Sequence, residues 1–200
     1  MKLNWAEKLL MNSPFRPRFQ RREARTMLRL GGGSFSGGRA LEIGCGRGVG
    51  IQIIFELFHP DFIEAFDFDP DQVQLARRHV APRYPDRVKI YEASAEAIPC
   101  AEGGFDAVFD FGVLHHVPDH ARAFREIFRV LKPGGKFFFM EPLASVTSSP
   151  LSRWLLQHQP ELQFSPEQLR TKLEKAGFTL TGQSWVEKMS RIIGVAAKPN

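Results

Sequence analysis

An α/β fold, doubly wound around a mainly parallel sheet, is what this 200-residue sequence predicts, and three observations carry the prediction. From Arg39 onward, short apolar strand-like runs alternate with helical segments, the order that βαβ units produce. Several of those runs are continuously apolar, as in Phe137-Phe138-Phe139-Met140, which suits strands covered on both faces. A glycine-rich stretch, Glu42-Ile43-Gly44-Cys45-Gly46-Arg47-Gly48-Val49-Gly50, falls between the first strand and the first helix of the alternation, where the chain must turn sharply.

Each element has its own signal. Leu3, Ala6, Leu9 and Leu10 stand at helical spacing over 3–11. Pro14 and Pro17 interrupt, and 18–30 reads as an arginine-studded helix with Phe19, Met27, Leu28 and Leu30 apolar. Residues 31–38, Gly-Gly-Gly-Ser-Phe-Ser-Gly-Gly, have the composition of a flexible linker. Arg39–Gly44 is the first strand, 49–58 an apolar helix and Phe62–Phe66 the second strand. Asp69-Pro70 reads as an N-cap and first-turn proline of a helix reaching about Val80. Arg87–Tyr91 and Phe105–Phe111 are the third and fourth strands. Pro118 opens a helix with Ala121, Phe124, Ile127, Phe128 and Leu131 on one face. Lys132-Pro133-Gly134-Gly135 is a turn before the fifth strand, Lys136–Met140. Ser165-Pro166-Glu167-Gln168 has a capping-box pattern and starts a helix ending at Gly177. Phe178–Trp185 and Arg191–Ala197 close the chain as a pair of strands.

Composition removes several classes of protein. With 43% apolar and 24% charged residues the chain is an ordinary globular one, not a disordered or fibrous one. Two Cys make no disulfide framework, which points to a reducing, cytoplasmic setting. No apolar run is long enough to span a bilayer, and the first residues lack the apolar core of a secretory signal. The net charge of +5 is unevenly spread. Residues 1–39 hold nine basic side chains against Glu7 and Glu23, a local +7, which leaves −2 for residues 40–200. The division that follows is a basic helical arm with its glycine-rich linker over 1–38 and a cofactor-binding domain over 39–200.

The glycine stretch carries the chemistry. Glycines after a strand let a ligand approach the backbone closely, and the helix that follows offers free N–H groups and a positive dipole end. A dinucleotide fingerprint would need a third glycine where Val49 stands, so that fit is broken; the spacing is Glu-x-Gly-x-Gly-x-Gly. Asp67, at the end of the second strand between Phe66 and Phe68, is placed to accept hydrogen bonds from ribose hydroxyls.

These residues resemble the class I S-adenosylmethionine-dependent methyltransferases, in particular the UbiE-like group also called methyltransferase type 11. The resemblance runs from about Arg39 to Phe178. It rests on Leu41–Gly48, Phe66-Asp67-Phe68-Asp69-Pro70, Ala95-Glu96-Ala97-Ile98-Pro99, Phe105-Asp106-Ala107-Val108, Val113-Leu114-His115-His116-Val117, Leu131-Lys132-Pro133-Gly134-Gly135 and Ala176-Gly177-Phe178, in that order. It implies a Rossmann-like sheet of seven strands with the last one antiparallel. It also implies a methyltransferase that uses S-adenosyl-L-methionine and needs no metal, with methyl transfer by in-line displacement to a small-molecule or lipid-like acceptor. Glu42 and the loop of Gly44, Cys45, Gly46 and Gly48 would hold the methionine end. Asp67 would bind the ribose, Phe68 would pack on the adenine, and Phe111 would belong to the same cofactor set. Ser94-Ala95 would meet the adenine edge, where the family usually has Asp-Ala. That departure removes a charged acceptor, so cofactor affinity is expected at the weaker end, and Ser94→Asp is not expected to reduce it.

A base is needed only if the acceptor must lose a proton, and His115 and His116, after the fourth strand, are the candidates. A metal reading of His115, His116 and His120 fails because Pro118 interrupts the helical spacing and no cysteine completes a set. Cys45 and Cys100 read as small apolar thiols. Trp154-Leu155-Leu156 reads either as a lid over an apolar substrate or as ordinary packing. The arm reads as a cap on the site, as a contact to an anionic membrane surface, or as a nucleic acid contact. The alternatives to a small-molecule enzyme are a methyltransferase acting on RNA or protein through that arm, and a non-catalytic S-adenosylmethionine-binding module.

Overall fold

The computed structural model describes residues 16–33, 37–143, 165–180, 185–188 and 191–200. The expected helix over 3–11, the centre of the glycine linker and the Trp154-Leu155-Leu156 segment lie outside the described residues.

The elements are α1 (Arg16–Leu30), β1 (Arg39–Ile43), α2 (Val49–Phe58), β2 (Phe62–Asp67), α3 (Pro70–Val80), β3 (Val88–Glu92), β4 (Phe105–Phe111), α4 (His120–Val130), β5 (Leu131–Pro142), α5 (Pro166–Lys175), β6 (Trp185–Lys188) and β7 (Arg191–Ala197). The strands form one seven-stranded sheet in the order β3-β2-β1-β4-β5-β7-β6. Neighbours among β1 to β5 pair in parallel. The last strand, β7, runs antiparallel to both β5 and β6. The order reverses between β1 and β4, so a crevice opens beyond their carboxyl ends, the usual ligand position in such sheets.

Local chemistry sets the element ends. Asp69 caps α3 by accepting from the Asp71 amide, with Pro70 in the first turn. Ser165 and Gln168 make the full capping box of α5. Pro118 precedes α4 rather than opening it; Asp119 is the cap and accepts from the Arg122 amide. Pro17 sits within the first turn of α1, where its missing N–H breaks no helical bond, so the helix begins before the proline and not after it. The expected strand Phe178–Trp185 is present as a single bridge from Thr179 to Ala197 and as β6, which starts at Trp185 and runs on to Lys188; residues 181–184 are outside the described set. The turn at 132–135 is a bulge within β5, with Gly134 at φ +73° and a register shift opposite Phe105 and Ala107.

The sheet has a core on each face. Phe138 and Met140 join Met27 of α1, Ile51 and Phe58 of α2, Val73 of α3 and Phe109 of β4 on one side. Phe137 and Phe139 join Phe124 and Ile127 of α4, Leu169 and Leu173 of α5 and Phe178 on the other. Consecutive phenylalanines of β5 thus serve opposite faces, as the two-residue period of a strand requires. Helix α1 is built into the first of these cores. Ala24 and Met27 are fully buried, Glu23 is ion-paired to Arg191 of β7, and Arg21 lies 2.5 Å from Glu56 of α2. The Lys136 ammonium donates to the Gly31 carbonyl at 2.6 Å and ties the following glycines to β5.

Phe109 lies fully buried, stacked on Phe138 at 4.9 Å and edge-on to Phe58 at 4.7 Å. Truncation to alanine leaves a cavity between sheet and helix that neither ring can fill. Phe109→Ala is expected to lower unfolding stability by about 3–5 kcal/mol in urea titration; a loss under about 1 kcal/mol would show that this core is not close-packed.

Candidate cofactor and active site

A cavity of about 230 Å³ opens at the point where the strand order reverses. Its floor is the turn after β1. Gly44, Gly46 and Gly48 there have φ of +65°, +51° and +89°, values that side-chain-bearing residues rarely adopt. A β-carbon on Gly44 would also strike the Val113 side chain, and one on Gly48 would strike Val80. The turn is held from β2. Asp67 accepts from the Gly46 amide at 2.8 Å and from the Asp69 amide at 2.9 Å, and the Cys45 amide donates to the Phe66 carbonyl at 2.9 Å. Two strand ends are thereby locked together through one carboxylate.

The expected site residues converge on this cavity with two exceptions. Glu42, Gly44, Cys45, Gly46, Asp67, Phe68, Ser94, Ala95, Phe111 and His116 all line it. Phe68 stays 55% exposed, a free aromatic face at the rim. Gly48 instead packs against α3 as the left-handed residue that starts α2. His115 turns away: its Nδ1 lies 2.8 Å from Glu141 at the end of β5, and its ring packs on that of His116 at 4.0 Å. Of the two cysteines, Cys45 is on the cavity wall while Cys100 lies 3.1 Å from the Tyr91 hydroxyl. Burial pushes both thiols up, so both stay protonated and neither is an activated nucleophile.

Several lining residues escaped the sequence reading. Arg16 and Gln20 reach the cavity from α1, one helical turn apart, and the Arg16 guanidinium donates to the Phe111 carbonyl at 3.0 Å. Their i, i+4 spacing was the available signal. Gln72 comes from the first turn of α3. Glu96 brings a carboxylate to the wall two residues after Ser94, the position that lacks the family's acid. It accepts from the Asp119 amide at 2.8 Å, and the Ser94 hydroxyl accepts from the Glu96 amide at 3.2 Å.

The electrostatics of the site are strongly acidic. Glu42 is 1% exposed, and its Oε2 has no hydrogen-bond partner. A β-carbon on Gly50 would collide with its Oε1, so no side chain fits there. Burial, followed by the charges of Asp67 and Asp110, raises it well above the ordinary carboxylate range. Burial raises Asp67 too, against the amides that hold it. Behind the cavity wall, Asp110 and Glu141 are fully buried in contact with each other. Two carboxyl groups can face each other only if the pair holds a proton; burial and the neighbouring Glu141 charge raise Asp110 well above the ordinary carboxylate range. Burial raises Glu141 to about 7, even though it accepts from the Leu114 amide at 2.8 Å and from His115.

This arrangement fits S-adenosylmethionine. A buried acceptor without a partner suits an ammonium group, a backbone cradle that tolerates no side chain suits a closely approaching ligand, and clustered carboxylates suit a cation. Among the described residues there is no group of three His, Cys, Asp or Glu side chains arranged to hold a metal ion, and no helix long and apolar enough to cross a membrane.

The chain is similar to known methyltransferases. Residues 41–139 match the family described as methyltransferase domain. The chain is 34% identical over 143 residues to a "probable S-adenosylmethionine-dependent methyltransferase" of Mycolicibacterium smegmatis, covering 72% of this chain and 52% of that protein. It is 34% identical over 106 residues to the ubiquinone/menaquinone biosynthesis C-methyltransferase UbiE of Geotalea daltonii, covering 52% of this chain and 45% of the other. The chain thus spans about half the length of the curated relatives it matches. In fold it is similar to the crystal structure of a SAM dependent methyltransferase from Aquifex aeolicus, with a TM-score of 0.78 at 17% identity over 98% of this chain and 100% of the other.

The raised carboxyls have a consequence for stability. Unfolded, these groups ionise at ordinary values; folded, they hold their protons longer, so stability falls as pH rises between the two values. For Glu141 that interval runs from 4.5 to about 7, and burial raises Glu42 and Asp110 in the same direction. His120, pushed down to about 4 by burial, acts in the opposite sense, but only up to its ordinary 6.5. The urea midpoint of the ligand-free protein is therefore expected to be lower at about pH 8.5 than at about pH 6.5. A midpoint that rises across this interval would contradict the assignment.

Proposed function

We propose that this chain, which belongs to the class I S-adenosylmethionine-dependent methyltransferases of the UbiE-like group, binds S-adenosylmethionine in the crevice beyond β1 and β4 and passes its methyl group to a small, lipid-like acceptor. The observation that carries the reading is the partnerless, buried Glu42 Oε2 beside the glycine turn. Burial makes the ionised form of this group costly in the ligand-free protein, so it holds its proton, and a delivered cation makes the carboxylate form favourable.

Bound S-adenosylmethionine supplies a methyl group already activated on a sulfonium. The chain's own residues have the tasks of binding, aligning and excluding water. Glu42 and the amides of the glycine turn take the methionine end. Asp67 offers its remaining lone pairs to the ribose hydroxyls, with one from each oxygen already committed to the Gly46 and Asp69 amides. Phe68 presents its exposed face to the adenine, and Ser94, Ala95 and the nearby Glu96 form the edge beside it.

The acceptor side is the wall of Val113, Val117 and His116. Two of these three are apolar, which favours an acceptor with an apolar ring or chain, and the Geotalea relative is named for ubiquinone/menaquinone biosynthesis. His116 alone of the two adjacent histidines is on the cavity wall, so it is the residue placed to take a proton from a phenolic or enolic acceptor. His115, with Glu141, shapes the loop that presents it.

Titration calorimetry with S-adenosylmethionine tests the binding half. Asp67→Ala is expected to weaken affinity by roughly 10- to 100-fold, the value of a hydrogen bond to a charged group. Ser94→Asp should leave affinity unchanged or improve it, and a large loss would remove Ser94 from the adenine edge. The transfer half is tested by incubating the protein and cofactor with a set of phenols, hydroquinones and lipid alcohols and following the gain of one methyl by mass. His116→Gln should flatten the pH–rate profile if the methylated acceptor is one that ionises. An unchanged profile would remove the base role, and no cofactor binding at all would overturn the reading.

A further inference from the structure

The outer face of α1 has no part in the site or in the core. Arg18, Arg22, Arg25 and Arg29 are all exposed and stand at i, i+4, i+7 and i+11. That spacing places them in one line along the helix, about 16 Å from first to last. Phe19, on the flank of this line, is 60% exposed, the largest exposure of any large apolar side chain among the described residues. Arg18, Arg22 and Arg25 form no ion pair among the described residues. The acids nearby are taken, Glu23 by Arg191 and Glu56 by Arg21. The opposite face of the helix is fixed in the core through Ala24 and Met27, so the arginines are presented on a rigid support. The same helix sends Arg16 and Gln20 into the cavity.

We infer that this face of α1 docks on an anionic phospholipid surface. Aligned arginines on a convex helix meet a plane of headgroup charge without any groove, and a phenylalanine beside them reaches the acyl boundary. Nucleic acid is the poorer fit, because strands are normally tracked along a basic groove, whereas the described arginines stand on one convex helix face. Docking here would hold the cavity close to a bilayer in which an apolar acceptor dissolves. This last point rests on the lipid-like acceptor proposed above; the docking itself does not.

Co-sedimentation of the full chain with vesicles tests the docking without any methyl acceptor. Binding is expected to phosphatidylcholine vesicles containing phosphatidylglycerol, to weaken with added salt, and to be absent with phosphatidylcholine alone. The double variant Arg22→Gln/Arg25→Gln should bind roughly 25-fold more weakly, at about fivefold per arginine. Phe19→Ser should weaken binding without changing its salt dependence. All variants should bind S-adenosylmethionine as the wild type does, which shows that the fold is intact. Equal vesicle binding by the double variant, no binding to anionic vesicles, or capture of single-stranded RNA in place of vesicles at the same salt would each overturn the inference. A vesicle-binding protein that methylates no lipid-like acceptor would leave the docking standing and remove only the proposed acceptor class.

Discussion

The bond from the Gly46 amide to the Asp67 carboxylate is the constraint on which the site depends. It ties the end of β2 to the turn after β1, and the same carboxylate holds the Asp69 amide at the start of α3. Three backbone segments are thus registered by one side chain. The turn can adopt this path only because Gly44, Gly46 and Gly48 accept positive φ, and because Gly44 and Gly48 leave room for the Val113 and Val80 side chains. Cavity, cradle and helix start are consequences of the same few atoms. The acid expected to bind ribose is therefore also the brace of the loop beside it, and the two roles are separated only by which lone pairs each uses.

The second organising feature is a concentration of carboxyl groups whose ionisation is held back in the ligand-free protein. Glu42, Asp67, Asp110 and Glu141 are brought together near the ends of four neighbouring strands, β2, β1, β4 and β5, and Arg16 approaches the cluster from α1 with its own charge disfavoured by burial. The cluster is divided in two. Glu42 and Asp67 face the cavity. Asp110 and Glu141 face each other behind it, and their oxygens fix the loop carrying His115 and His116 by accepting from the Val113 and Leu114 amides. Low-dielectric surroundings strengthen both the internal hydrogen bonds and the preference for a cation in the open half.

Much of this was legible in the chain before any coordinates. The parallel strands, the caps at Asp69 and Ser165, the glycine turn and Asp67 are local signals, each set by neighbours a few residues away. Other features depend on contacts between distant segments. Arg16 and Gln20 belong to a stretch that by composition looked like a separate basic arm, yet their helix is seated on the sheet that forms the site. Adjacent histidines could not be assigned to cavity or interior from sequence, because the partner that draws His115 inward, Glu141, is on another strand. Gly48 looked like a cofactor contact and is a packing glycine, since Val80 of α3 occupies the place a side chain would need.

The sequence by itself determined the class of fold, the parallel strands of the alternation, the turn that receives a ligand, and the charge division between residues 1–39 and the rest. Periodicity, glycine conformational freedom and capping chemistry act over a few residues and need no knowledge of what lies across the sheet. Only the tertiary structure decided which side chains face the cavity and which serve the core. It alone placed Glu42 without a partner, paired Asp110 with Glu141, and left four arginines and Phe19 of α1 facing outward. Burial and charge proximity are properties of segments far apart in the chain, and they come into being only when the sheet is assembled.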